Sequence, residues 1–444
     1  MKEYSDYKPS NVSWLQSIPS HWQQKRLKFA VSLINQKQPA EEAEVPYIGL
    51  EHIESWTGRK IDGEISQSEG LASAYTRGDV LFGKLRPYLA KVHLAEEPGL
   101  ISSEALVIRA TDGVLPSYLK YYFLSRDFID TVDSSTYGSK MPRANWDYIG
   151  NLTLLIPSER EQQAIVRFLD HKTAQIDALI AKKQALLDKL AEQRTALISQ
   201  AVTQGLDLSV PMVHSGVDWL GEIPAHWNAI RVRHISEFVT SGSRGWAQYY
   251  SNEGNIFLRI TNVSRHSVNL LQNDIQRVSP PESAEGNRTK TQSGDVIVSI
   301  TADLGSVAVI PEDYDEAYVS QHLALIRPQI ACIYPRWLAY QIFSQHGKAQ
   351  LIGAGYGGTK IQLSLPDIKD LWVALPPLDT QEEICSEIDK KVEKLELRSS
   401  KVQKAIEKLE EYRSALITNA ITGKIDVRNF TQPTPAEAKE AVHE

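Results

Sequence analysis

Two stretches of this chain carry apolar residues at alternating steps of three and four, the spacing that gathers them on one stripe of an α-helix. In the later stretch Val392, Leu395, Ser399, Val402, Ile406, Leu409, Arg413, Leu416 and Ala420 keep that rhythm. In the earlier one Thr173, Ile176, Ile180, Lys183, Leu187, Leu190, Arg194, Leu197 and Ala201 keep it less cleanly. Neither interior holds Gly or Pro. Pro157 and Pro376 stand just ahead, and Gly205 and Gly423 near the ends, where start and stop signals belong. The pattern predicts two long helices, the first about 65 Å long over residues 159–203.

A helix with one apolar seam needs something to cover it. Each helix is the nearest candidate to cover the other, as a heptad-type coiled coil. An antiparallel arrangement is expected, because it relates two equivalent halves by an approximate two-fold axis. For Arg194 and Arg413 the reading is that the stems pack on the seam while the guanidiniums reach flanking Glu, with control of register as the alternative.

The remaining sequence changes period. Short runs such as Asp79–Phe82, Ala105–Ile108, Asp295–Ile300 and Leu323–Ile326 are rich in Val, Ile and Leu and are bounded by Gly, Pro and Asp, as strands are. A helical run follows each set, over Pro116–Ile129 and Pro335–Leu351. The expected fold is α+β: strand-rich domains over 1–156 and 208–375, each followed by a long helix within 157–207 and 376–426. The polar, Pro-containing segment 427–444 is expected to be disordered.

The two halves are also written alike. Trp14-Leu15-Gln16-Ser17-Ile18-Pro19-Ser20-His21-Trp22 returns as Trp219-Leu220-Gly221-Glu222-Ile223-Pro224-Ala225-His226-Trp227, with six of nine positions identical. The helical blocks repeat too, with Gln162/Gln381, Ile165/Ile384, Asp170/Asp389, Arg194/Arg413, Leu197/Leu416 and Ala201/Ala420 in step. This is a tandem duplication whose frames stayed alike around unlike inserts. His21 and His226 belong to the repeated frame, so packing is their expected role.

At 444 residues, with 42% hydrophobic and 23% charged residues, the composition is that of an ordinary globular protein with room for several cores. No apolar run reaches the ~18 residues of a membrane span, and the N-terminus lacks a signal-peptide layout, so a cytoplasmic location is expected. Cys332 and Cys385 are too few for a disulfide scaffold and lack the Cys or His neighbours zinc needs. A net charge of -7 argues against indiscriminate coating of nucleic acid, yet leaves room for local basic loops.

No catalytic or metal constellation stands out. Gly353-Ala354-Gly355-Tyr356-Gly357-Gly358-Thr359-Lys360 meets G-x-G-x-x-G, but Thr precedes Lys and the stretch before it reads helical, against a phosphate loop. A nucleotide-binding enzyme is thus the weaker alternative, and a coiled-coil scaffold with no DNA role is another. Basic loops beside strands carry more weight. Gly83–Lys91 offers Lys84, Arg86, Tyr88 and Lys91: phosphate donors, a guanine-competent fork and an aromatic face. The matching stretch around Thr301 has quite different chemistry. A second pair sets Arg59 against Arg259, Asn262 and Arg265. Lys140, Arg143, Arg244 and Lys360 complete the candidate DNA-binding set. The candidate helix-seam set is Ile176, Ile180, Leu187, Leu190, Leu197, Val392, Leu395, Val402, Ile406, Leu409 and Leu416.

Taken together, the doubled WL-x-x-IP-x-HW lead-in, Gly-Asp-Val before a strand and loop, the Gly-Ser-Lys (138–140) or Gly-Gly-Thr-Lys (357–360) turn, and the helix ending near Gly205-Leu206-Asp207 or Gly423-Lys424-Ile425-Asp426 resemble the specificity subunit of type I restriction-modification systems. The resemblance implies two target recognition domains, each reading half of a bipartite asymmetric site in double-stranded DNA, held apart by paired helices. It also implies partners: two modification subunits that bind S-adenosylmethionine and methylate adenine, and restriction subunits that use ATP and Mg. The chain itself would hold no cofactor and perform no catalysis. At helical rise the first seam spans about 42 Å, or roughly 12 base pairs, a length suited to a spacer ruler.

Overall fold

A computed structural model describes residues 2–40, 45–61, 63, 70–138, 140–281, 284–355 and 362–431. The chain forms two compact units, residues 1–183 with 404–444 and residues 184–403, so the division falls within the long helices rather than at their ends.

In the first unit a four-stranded antiparallel sheet runs in the order Val31–Ile34, Ala105–Ala110, Val80–Gly83, Val92–Leu94. Its central strand is apolar throughout because both its faces are covered. Val80 and Phe82 enter one core with Tyr118, Tyr122, Phe123 and Phe128, while Leu81 enters a second with Ile48, Tyr75 and Ile101. The second core lies under another four-stranded sheet: Lys37–Pro39, Leu71–Tyr75, Gly99–Ser102 and Tyr47–Ile48, the last pair parallel. Strand Gln23–Arg26 pairs with Thr153–Ile156 and so closes the domain where it begins.

The second unit repeats this plan. Ser236–Ser241, Leu323–Pro328, Val296–Ser299 and Val307–Val309 form one sheet, and Tyr250–Ser251, Gln276–Val278, Asn255–Leu258 and Ala317–Val319 the other. Val296 and Val298 face one core and Ile297 the other. Asn228–Arg231 pairs with Trp372–Leu375.

Each run expected as one helix is broken. Pro116–Phe123 and Arg126–Ser134 are separate, as are Pro335–Phe343 and Gln345–Ala354. The breaks fall at Ser125 and Ser344, both extended; the Ser344 hydroxyl caps the following helix by accepting from the Gly347 amide, at 3.1 Å. The runs were apolar enough to conceal these serines, which favour a cap over a helix interior.

The long helices span Glu159–Gln204 and Leu378–Ile421. All nine seam positions on each are buried or half-buried. In the first unit Ile176 shares a core with Leu416, Ile417, Ala420 and Ile421, with Ile180 and Leu409 packed against it. In the second, Ile198, Ala201 and Val202 share one with Ile384, Cys385 and Ile388, with Leu197 and Val392 alongside. The Arg413 guanidinium does not reach out to flanking Glu as expected. It is buried, its Nε donating to Asp177 at 2.8 Å and its Nη1 to the Trp56 carbonyl at 2.8 Å.

The lead-in elements dock on helix ends. Trp22 is fully buried beside Gly423, and its Nε1 donates to Glu161 at 3.0 Å. Glu161 also accepts from the Tyr4 hydroxyl at 2.6 Å and lies 2.9 Å from His21 Nε2. Trp227 packs beside Gly205, with its Nε1 donating to His226 Nε2 at 3.1 Å. The start of the segment expected to be disordered is in fact packed: Val427 is buried and the Phe430 ring lies 5.1 Å from that of Phe168. Residues 432–444 of that segment lie outside the described residues.

Candidate nucleic-acid interface

In the first unit the loop after strand Val80–Gly83 meets the turn that returns to the long helix. The Lys84 amide donates to the Glu104 carbonyl at 2.9 Å, and the Lys84 carbonyl accepts from the Ala144 amide at 2.9 Å. Leu85 bridges to Arg143, and the Arg86 amide donates to the Pro142 carbonyl at 2.8 Å. Arg86 itself is left-handed, at φ 51°, and exposed. Beyond it Pro87–Leu89 makes a short 3-10 turn that presents Tyr88, 44% exposed. The crossing therefore gathers Lys84, Arg86, Tyr88, Tyr137 and Lys140 into one loop cluster. Arg143 is held by Glu104 through two hydrogen bonds, at 2.9 and 3.2 Å.

The second unit builds the same crossing. The Ile300 amide donates to the His322 carbonyl at 3.1 Å, and the Ile300 carbonyl accepts from the Leu363 amide at 2.9 Å. Thr301 bridges to Gln362, and Ala302 is left-handed at φ 58°. The side chains are unlike those of the first unit. Thr301 Oγ1 lies 2.9 Å from His322 Nδ1, and Gln321 Nε2 lies 3.2 Å from His322 Nε2. Asp303 pairs with Arg265 and accepts from the Ser306 hydroxyl at 2.6 Å.

Such paired loops, alike in backbone and unlike in side chains, suit the recognition of two different surfaces. A family model described as "Type I restriction modification DNA specificity domain" matches residues 232–408. The EcoDI specificity subunit of Escherichia coli is 26% identical over 169 residues, 37% of this chain and 38% of that protein. The EcoBI specificity subunit of Escherichia coli is 20% identical over 336 residues, 74% of this chain and 70% of that protein. The family model and these relatives all point to the specificity subunits of type I restriction-modification systems. Such subunits are non-catalytic members of a larger complex. In fold it resembles a chain from a structure titled as the basis of complex assembly and conformational transition of the type I R-M system. The TM-score is 0.66 at 20% identity, over 92% of this chain and 99% of that one.

Not every candidate residue reaches the surface. Lys91 points inward: its Nζ donates to the carbonyls of Leu50 and Ile53 at 2.6 and 2.8 Å, and burial lowers its pKa. Asn262 is fully buried; its Oδ1 accepts from the Arg259 amide at 2.9 Å and its Nδ2 donates to the Leu271 carbonyl at 3.2 Å. Its counterpart His52 does similar work, accepting from the Gly49 amide at 3.0 Å. Both hold a 3-10 turn, a role that a polar residue beside a strand does not announce. Arg59 is exposed and donates to Glu54 at 2.8 Å. Arg259 is tied to Asp274, through its carbonyl at 2.9 Å and its carboxylate at 3.0 Å. Arg244 is exposed and Thr301 half-buried. Lys360 lies outside the described residues.

The glycine-rich string begins at the end of helix Gln345–Ala354, not after a strand, and residues 356–360 lie outside the described residues. Among the described residues no cluster of three or more His, Cys, Asp or Glu is placed to hold a metal ion, and no helix is long and apolar enough to cross a membrane. Sequence reasoning missed Glu104, Gln321, His322 and Gln362. Their only signal is register: they come to the crossing through strand pairing, which a linear reading does not supply.

Proposed function

We propose that this chain is the DNA-reading subunit of its complex, each strand-rich domain reading one half of a bipartite asymmetric site through its loop crossing. The observation that carries this reading is the pair of crossings, which share two backbone hydrogen bonds and one bridge yet carry Arg, Lys and Tyr in one unit and Thr, His and Gln in the other. Phosphate contacts position a protein on the duplex, while base-edge contacts specify sequence. A constant frame with variable tips supplies both.

The long helices act as an antiparallel coiled coil that sets the spacer and docks two modification subunits. Support comes from each unit separately. In the first, the opening half of one helix shares a core with the closing half of the other; in the second, the closing half of the first shares a core with the opening half of the second. S-adenosylmethionine would be held by the modification subunits, and ATP and Mg by restriction subunits.

Single-molecule sequencing of modified adenine in cells carrying this chain and its partners tests the reading. Replacing residues 28–150 with those of a relative should change one half-site and leave the other. A change in both, or in neither, overturns independent reading. Adding one or two helical turns to both helices should lengthen the spacer with the half-sites intact.

A further inference from the structure

We infer that four equivalent positions at each crossing, Leu85/Thr301, Arg86/Ala302, Glu104/His322 and Arg143/Gln362, set the base sequence of each half-site, with Arg86 the base-reading group of the first domain. The inference rests on the DNA-reading role proposed above and goes further by naming the side chains and the base.

The equivalence is fixed by backbone geometry. In both units the residue after the strand is held on one side by the carbonyl of the first group's third member, Glu104 or His322, and on the other by the amide following the fourth, Ala144 or Leu363. The next residue makes the bridge, Leu85 to Arg143 or Thr301 to Gln362. The one after that is left-handed, Arg86 at φ 51° or Ala302 at φ 58°. The four positions therefore hold matching places in the same backbone frame.

Arg86 has no role in building that frame. Ala302 makes the same left-handed turn with no guanidinium, so the turn does not need one. Arg86 is exposed, and its side chain has no hydrogen-bond or ion-pair partner among the described residues. Its neighbour Arg143 is by contrast engaged by Glu104 on two nitrogens. An arginine presented without a partner from a loop tip, beside an arginine already satisfied, is suited to the O6 and N7 acceptors of guanine, which a fork contacts together. At the second crossing the fork is replaced by a hydrogen-bonded chain from Thr301 through His322 to Gln321. That chain offers amide, imidazole and hydroxyl groups, so the two half-sites differ at this point.

The test uses the full complex in cells and maps methylated adenine by single-molecule sequencing, with Arg86→Gly, Arg86→Lys and the combined change Leu85→Thr, Arg86→Ala, Glu104→His, Arg143→Gln. Glycine accepts the left-handed backbone without strain, so Arg86→Gly removes the fork and keeps the fold. The expected result is relaxation of one base pair, a G·C pair in the unaltered motif, in one half-site only. Discrimination there should fall about 10- to 100-fold. Arg86→Lys should relax the same position, because it keeps the charge and loses the fork. The combined change should alter that half-site and leave the spacer and the other half unchanged. An unaltered motif in Arg86→Gly overturns the inference. So does a uniform fall in methylation that Arg86→Lys restores, since that is the behaviour of a phosphate contact. If the exchange of residues 28–150 changes a half-site while these variants do not, the inference fails alone; if neither changes it, DNA reading by this domain fails as well.

Discussion

Arg413 and Asp177 form an ion pair almost out of water, with Nε to Oδ1 at 2.8 Å and side chains 9% and 12% exposed. The same guanidinium donates to the carbonyl of Trp56, a left-handed residue of the recognition domain whose ring lies 5.1 Å from the Arg126 guanidinium. One arginine thus joins helix, helix and domain within the first unit. In the second unit its repeat counterpart Arg194 lies 3.2 Å from His266, with Glu396 close enough to favour its charge. Removing one partner of a buried pair leaves the other charge without compensation. Arg413→Ala should therefore cost about 3 kcal/mol in chemical denaturation. Arg413→Met combined with Asp177→Leu should recover most of that loss; strictly additive losses would show that the two residues do not act together.

The long helices were legible because their signal is local: spacing, Pro before and Gly after need no partner to be read. The reason for Arg413 on the seam was not, since Asp177 and Trp56 are far from it in sequence and only folding brings them there. The loop over Gly83–Lys91 was likewise found from its glycine, proline and charges. Which of its cations faces out was not, because Lys91 stands just before strand Val92–Leu94, whose pairing turns it toward Leu50 and Ile53. Glu104 and His322 gave no sign of their role, since each owes its place to the register of the central sheet.

The two glycines that end the long helices should respond unequally to alanine. Gly205 and Gly423 are both left-handed, at φ 78° and 73°, which costs a residue with a Cβ about 1–2 kcal/mol. At Gly205 the new methyl would sit 3.3 Å from the Trp227 ring, a contact that a small shift relieves. At Gly423 it would collide with the edge of the Pro19 ring and lie 3.2 Å from Trp22, both of them buried. Gly423→Ala should thus destabilise by about 1–3 kcal/mol more than Gly205→Ala. Equal shifts in denaturation midpoint would show that the lead-in does not clasp that helix end.

Acid should weaken the second unit before carboxylates titrate. Burial holds the imidazoles of His266 and His346 below their ordinary pKa; at His266, Arg194, Lys348 and Arg265 add to the effect and Asp303 opposes it. As pH falls through about 6.5 the unfolded chain takes up these protons first. The contribution to stability is therefore intact above that pH and is lost as pH falls toward the lower folded values. Denaturation at pH about 7.5 and about 5.5 should show the loss, and His346→Gln should reduce it. A loss that is the same with and without His346 would rule out its share.

Two lysines of the same basic loop cluster should separate cleanly in salt. Lys140 is exposed on the turn that crosses the loop, while the Lys91 ammonium is fixed to two carbonyls. A lysine that neutralises a phosphate releases about one counterion, so its loss should lower the slope of log affinity against log salt by about 0.9 without changing base preference. Lys140→Ala should do this on the proposed reading of DNA. Lys91→Met should leave the slope alone and instead lower stability, since two partly buried carbonyls lose their donor at about 1–3 kcal/mol. Filter binding or fluorescence anisotropy of the assembled complex over a range of salt, beside denaturation of the chain, reads both. A fall in slope for Lys91→Met would mean that its ammonium leaves the interior to meet DNA, and an unchanged slope for Lys140→Ala would remove that residue from the phosphate contacts.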